Sequence, residues 1–114
     1  MIPSYYLFPF EKVDKGASVS IYGAGYIGQQ YVEQIKISNY CKVVSIVDNN
    51  YNAKLRIKGI KVLPPKRIQD DSFDYIVVAV GAREVASEIY DDLIAMGVPK
   101  KKIVLKLRRL IPWA

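Results

Sequence analysis

Ser18-Val19-Ser20-Ile21-Tyr22 is a short β-forming run that stops at the string Gly23-Ala24-Gly25-Tyr26-Ile27-Gly28. A helical repeat begins inside that string: Ile27, Tyr31 and Ile35 recur every four residues, with Val32 beside them. A strand, a glycine turn and a helix in that order constrain the fold more than any other feature of the chain. Each glycine has a separate task there. Gly23 permits the tight turn. Gly25, with no side chain, lets a bulky anion approach the backbone. Gly28 lets the helix pack closely on the sheet. The first turn of the helix then presents free N–H groups and a partial positive charge. The sequence therefore predicts a phosphate cradle, with Gly23, Ala24, Gly25, Tyr26, Ile27 and Gly28 as its residues. Tyr26 either packs over the ligand or covers the helix start.

A second β-branched run, Lys42 to Val47, is followed by Asp48, 20 residues after Gly28. That spacing suits a carboxylate accepting hydrogen bonds from a ribose 2′-hydroxyl. Such a carboxylate repels a 2′-phosphate, so NAD(H) fits better than NADP. Asp48 has a plainer alternative, as the residue that ends the strand and caps the next turn. Coenzyme A and S-adenosylmethionine bind related glycine turns and stand as less favoured ligands.

Tyr75-Ile76-Val77-Val78-Ala79-Val80 is apolar on both faces, as a central parallel strand is. It ends at Gly81. In an open α/β sheet the ligand crevice lies outside the carboxyl ends of the strands. Val80, Gly81, Ala82 and Arg83 are therefore expected in its wall. A second helix is predicted from about Arg83 to Met96, with Val85, Ile89, Leu93 and Met96 on its core face and Gly97 as its stop. Gly59 to Leu63 and Ile103 to Leu105 read as further strands, residues 51–58 as polar loop, and Pro65 as the start of a brief helical turn. Ser38-Asn39 ends the first helix. The five strands and right-handed crossovers give a half-Rossmann open parallel sheet of order 3-2-1-4-5, with helices on both faces. The expected division is an aromatic extension at 1–15, a nucleotide-binding domain at 16–105 and a C-terminal extension at 106–114.

At 114 residues this is one domain. It has no histidine and one cysteine, which excludes an internal disulfide and the usual structural zinc sites. Cys41, in apolar surroundings with no histidine to activate it, is expected to be inert. The start of the chain lacks the features of a secretory signal, so a cytoplasmic protein with no membrane span is expected. The net charge is +6, and the basic residues are scattered along the chain except at Lys100-Lys101-Lys102 and from Lys106 to Arg109. Aromatic residues do not interleave with these cations, so no nucleic-acid partner is expected.

The runs Ile21 to Gly28, Val43 to Asp48 and Asp74 to Val80 together resemble the NAD(P)-binding Rossmann-like domains of bacterial sugar and surface-polysaccharide biosynthesis. They are similar to the nucleotide-binding part of nucleoside-diphosphate-sugar epimerases and dehydratases, and to small modules attached to polysaccharide-biosynthesis sugar transferases. The resemblance covers roughly residues 16–105 and implies a nucleotide cofactor. The epimerases normally carry a further glycine where this chain has Tyr22, and they use a tyrosine with a lysine four residues on. No tyrosine here has that partner: Tyr51 is followed at that distance by Leu55 and Tyr90 by Ile94. No complete catalytic constellation is present, so the chain reads as a cofactor-binding module within or accessory to such an enzyme. The alternative is a ligand-free Rossmann-like domain used in assembly. Tyr5, Tyr6, Leu7, Phe8 and Phe10 at one end, and Leu110, Ile111, Pro112 and Trp113 at the other, suggest a homodimer or docking to a larger enzyme domain.

Overall fold

The computed structural model describes residues 5–110. In chain order its elements are β1 (Tyr5–Leu7), β2 (Ser18–Tyr22), α1 (Tyr26–Ser38), β3 (Lys42–Val47), β4 (Arg56–Ile57), β5 (Ile60–Leu63), β6 (Tyr75–Val78), α2 (Arg83–Ala95), β7 (Ile103–Val104) and β8 (Arg108–Leu110). The main sheet runs β4-β5-β3-β2-β6-β7, and a separate two-stranded sheet pairs β1 with β8. All pairs from β5 across to β7 are parallel.

Alternation along the strands feeds two apolar layers. Val19, Ile21, Ile46, Val62, Val77 and Val104 point to one face, where Ile27, Tyr31, Val32 and Ile35 of α1 meet them. Tyr22, Val47, Ile76 and Val78 point to the other, against Ile89 and Leu93 of α2. Both faces of the sheet are covered, which is why its central strands are apolar on both sides. Burial of each large side chain contributes about 1.5–3 kcal/mol. The register of β2 on β3 shifts between Val19 and Ser20, skipping Val44. That irregularity explains how Val43 and Ile46, an odd number of residues apart, serve the same layer while Val44 is exposed. The hydroxyls of Ser20 and Ser45, buried in the sheet, satisfy each other at 2.7 Å.

Five expectations are corrected. Residues 51–58 are not all loop, because Arg56–Ile57 pairs antiparallel with Ile60 and Lys61. Lys58 and Gly59 both hold positive φ, the geometry of a two-residue hairpin turn, so Gly59 belongs to the turn and not to β5. Val85 is off the core face of α2 and exposed, and the buried face runs through Ile89 and Leu93, with Ala86 and Met96 packed beside them. The central strand closes at Val78, two residues early, with Ala79 still hydrogen-bonded back to the carbonyl of Tyr22.

The last correction concerns the N-terminal aromatics, which do not form a free patch. Phe8 is fully buried in the α1 layer, edge-on to Tyr31 and Phe10, and Phe10 is edge-on to Tyr40. Only Tyr5 of that set is exposed. The basis for association offered by these residues is therefore removed. Ile111, Pro112 and Trp113, with the side chain of Leu110, lie outside the described residues.

Two glutamines on α1 hold this segment. Gln30 Oε1 accepts from the Tyr6 amide at 2.9 Å. Gln34 Oε1 accepts from the Phe8 amide at 2.8 Å, and its Nε2 donates to the Tyr6 carbonyl at 2.7 Å. The edge of β1 turned away from β8 is thus satisfied by side chains. Gln34→Ala removes two such bonds and is expected to cost about 2 kcal/mol. Urea unfolding measures that loss.

Candidate functional site

The glycine turn is wedged at the carboxyl ends of β3 and β6. Gly23 has φ +127°, and its N–H donates to the Val47 carbonyl at 2.8 Å. A Cβ on Gly23 would lie 2.6 Å from the Ala79 carbonyl oxygen, so both conformation and space require glycine there. A Cβ on Gly28 would run into the Gly23 carbonyl and reach Ala79 Cβ at 3.8 Å. The close approach is thus between helix α1 and its own turn first, and the sheet second.

Gly25 is different. It is the N-cap of α1, with φ −82° and ψ −157°, and a Cβ there would meet nothing within 4 Å. Gly25 has no side chain with which to cap α1, and the first turn of the helix carries no acidic residue. A helix start normally has a capping oxygen or a first-turn carboxylate. Here the N-cap is a glycine, and the space in front of its Cα is open.

Asp48 closes the other side of the turn. Its Oδ2 accepts from the Ala24 amide at 2.7 Å and its Oδ1 from the Asn50 amide at 2.8 Å. Its own N–H donates to the Leu63 carbonyl at 3.1 Å. The residue therefore does cap the following turn, and it also binds the glycine turn. Its side chain is half-buried. Tyr22, at the position of the missing fourth glycine, is buried under α2 and leaves the turn clear. Burial raises its phenol pKa first, with the Asp92 and Asp48 carboxylates adding to it.

Of the remaining expected residues, Ile27 is buried and Tyr26 is exposed. Gly81 lies beside α1, since a Cβ on it would meet Ile27 Cδ1 at 3.4 Å. Ala82 is the N-cap of α2. Val80, Gly81 and Arg83 line a neighbouring hollow of about 460 Å³ with Ser87, Tyr90 and Leu107. No residue of the glycine turn lines it. The structure thus gathers Gly23 to Gly28 and Asp48 at one place, with Val80 and Gly81 between it and the hollow that holds Arg83. The sequence reading missed Ser87, Tyr90 and Leu107. Arg83, Ser87 and Tyr90 follow helical spacing and form a legible polar stripe, but Leu107 gave no signal.

Cys41 is buried, and burial pushes its thiol up to about 11. Among the described residues no group of acidic or cysteine side chains could hold a metal, and no helix is long and apolar enough to cross a membrane.

Residues 16–104 match the family described as "C2185-like, N-terminal". The chain belongs to this family. No curated protein sequence matches it. Among solved structures, RSP, a Rex-family repressor, in complex with beta-NADH superimposes with a TM-score of 0.56 at 20% identity, over 74% of this chain and 43% of that one. RSP in complex with beta-NAD+ and operator DNA gives 0.59 at 18% identity, over 81% of this chain and 50% of that one. UDP-D-quinovosamine 4-dehydrogenase from Vibrio fischeri gives 0.54 at 15% identity, over 83% and 93%. At these identities the likeness establishes the fold, which is Rossmann-like. The C2185-like domain spans half or less of the length of RSP.

Proposed function

We propose that this C2185-like domain is an NAD(H)-binding module. The observation that carries the proposal is the open backbone at Gly25, the glycine N-cap of α1, with Asp48 fixed beside it. In this reading the pyrophosphate lies against Gly25 and the amides of the turn, and Gly23 and Gly28 keep that turn closed beneath it. Asp48 spends one interaction per oxygen on backbone amides. A carboxylate has about four lone-pair sites, so acceptor capacity remains for ribose hydroxyls. Gly81 forms the far wall next to Ile27. The complexes of RSP with NADH and NAD+, on the same fold, support the choice of cofactor. The likeness to a UDP-sugar dehydrogenase supports placing the module in nucleotide-sugar or surface-polysaccharide biosynthesis.

Cofactor choice tests the role of Asp48. The parent domain is expected to bind NAD+ at least about tenfold more tightly than NADP+, a difference of ~1.4 kcal/mol. Asp48→Asn keeps acceptor and donor atoms at the turn and removes the charge. It is expected to bring the two affinities within a few-fold of each other, as read by calorimetric titration. Equal affinities in the parent overturn the assignment.

A further inference from the structure

The main sheet ends at β7, whose residues pair on one side only, Ile103 with Ile76 and Val104 with Val77. Along the outer side runs a hollow of about 500 Å³ lined by Lys12, Lys101, Ile103, Val104, Leu105 and Lys106. Among the described residues, Val104 and Leu105 make no hydrogen bond outside the main sheet, while the Ile103 N–H donates to the Lys100 carbonyl and leaves the Ile103 carbonyl and the Leu105 N–H for an added strand. Residues 100–109 hold six lysines and arginines and no acid, equal to the whole net charge of the chain, so the other residues sum to zero. None of the glycine turn lies in the hollow. Lys12 and Lys101 are exposed, and Lys106 holds Glu11 at 2.7 Å. Two acids, Asp14 and Asp74, lie in an adjoining hollow with Lys15, Lys101 and Lys102, where Asp14 accepts from the Tyr75 hydroxyl and Asp74 from the Ser18 amide.

We propose that the outer edge of β7 accepts an extended acidic segment of a partner protein as an added strand. An open edge offers alternating N–H and C=O groups, and lysines beside it select what can pair. They repel a cationic strand, and they repel a second copy of this chain, which would bring the same lysines face to face. They attract a strand with carboxylates at alternate positions. Leu105, 41% exposed, supplies apolar surface for the residues between. A polynucleotide fits less well, because the hollow has no aromatic side chain for stacking and a phosphate backbone cannot donate to the edge carbonyls. The proposal is independent of nucleotide binding at the glycine turn.

The test uses the full chain, ¹⁵N-labelled, and a short peptide alternating glutamate with valine. Its glutamine counterpart and a DNA duplex serve as comparators. The expected result is binding of the acidic peptide, with chemical-shift changes at residues 103–106 and slowed amide exchange at Leu105. Lys12→Glu with Lys101→Glu, both at exposed positions, is expected to weaken it at least about tenfold at low salt. Leu105→Pro, which interrupts the edge, is expected to abolish the chemical-shift changes. Equal binding of the glutamine peptide, tighter binding of the duplex, shifts without amide protection, or no binding overturns the proposal.

Discussion

Gly28→Ala is expected to destabilise the domain by about 2–3 kcal/mol, the usual cost of forcing extra atoms into a filled space. The sign is the informative part. Inside a helix, glycine to alanine normally gains about 1 kcal/mol. At Gly28 the added methyl has nowhere to go, because the obstacle is the Gly23 carbonyl, a backbone atom that no rotamer change can move. Gly23 in turn is fixed by its bond to Val47 and by Ala79 behind it. The strain therefore passes into the ends of β3 and β6. Gly25→Ala is the control, since its Cβ meets nothing within 4 Å. Urea unfolding of the two variants should show a lower midpoint for Gly28→Ala and little change for Gly25→Ala. A Gly28→Ala protein as stable as the parent contradicts the packing described for the turn.

Gly25→Val carries the second large effect, and it falls on binding and not on stability. Gly25 has ordinary negative φ, so a valine meets no conformational barrier of the kind set at Gly23. Its branched side chain would fill the open space in front of the α1 start. NADH affinity is expected to fall by about a hundredfold or more, roughly 2.7 kcal/mol. The unfolding midpoint should stay close to that of the parent. Unchanged NADH affinity in the folded variant would remove the pyrophosphate from Gly25.

The parts of the fold legible in the sequence are those governed by local signals. The helix α1 begins at the glycine turn and ends where Asn39 takes the left-handed conformation, at φ 57°, as an asparagine there can. The parallel strands are marked by β-branched runs such as Val43-Val44 and Ile76-Val77-Val78. The parts not legible depend on long-range partners. Tyr5 pairs with Leu110 at the opposite end of the chain, and no local pattern announces that pairing. Gln30 and Gln34 look like surface residues of a helix, yet Gln30 is buried because it answers the backbone of β1. The β4–β5 hairpin was hidden because its turn is Lys58-Gly59 and lacks the asparagine or aspartate that usually signals such a turn. Val85 fits the helical period, but α2 is rotated so that Ala86 takes the inward place.

At the site, the glycine string and Asp48 were legible because spacing alone brings them to one sheet edge. The bond from the Ala24 amide to Asp48 was not, since the same carboxylate could have faced solvent. Arg83 was expected in the same crevice and lies instead in the adjoining hollow, because α2 starts one strand further along the sheet.

The central claim is that a dinucleotide lies across the turn between Gly25 and Asp48. Titration of the ¹⁵N-labelled domain with NADH, followed residue by residue, tests it most directly. The account predicts saturable shifts at the amides of Gly23 to Gly28, Asp48 and Gly81, with the Lys100-Lys101-Lys102 amides unchanged. Shifts confined to the lysine-rich edge, or none at millimolar NADH, would contradict it.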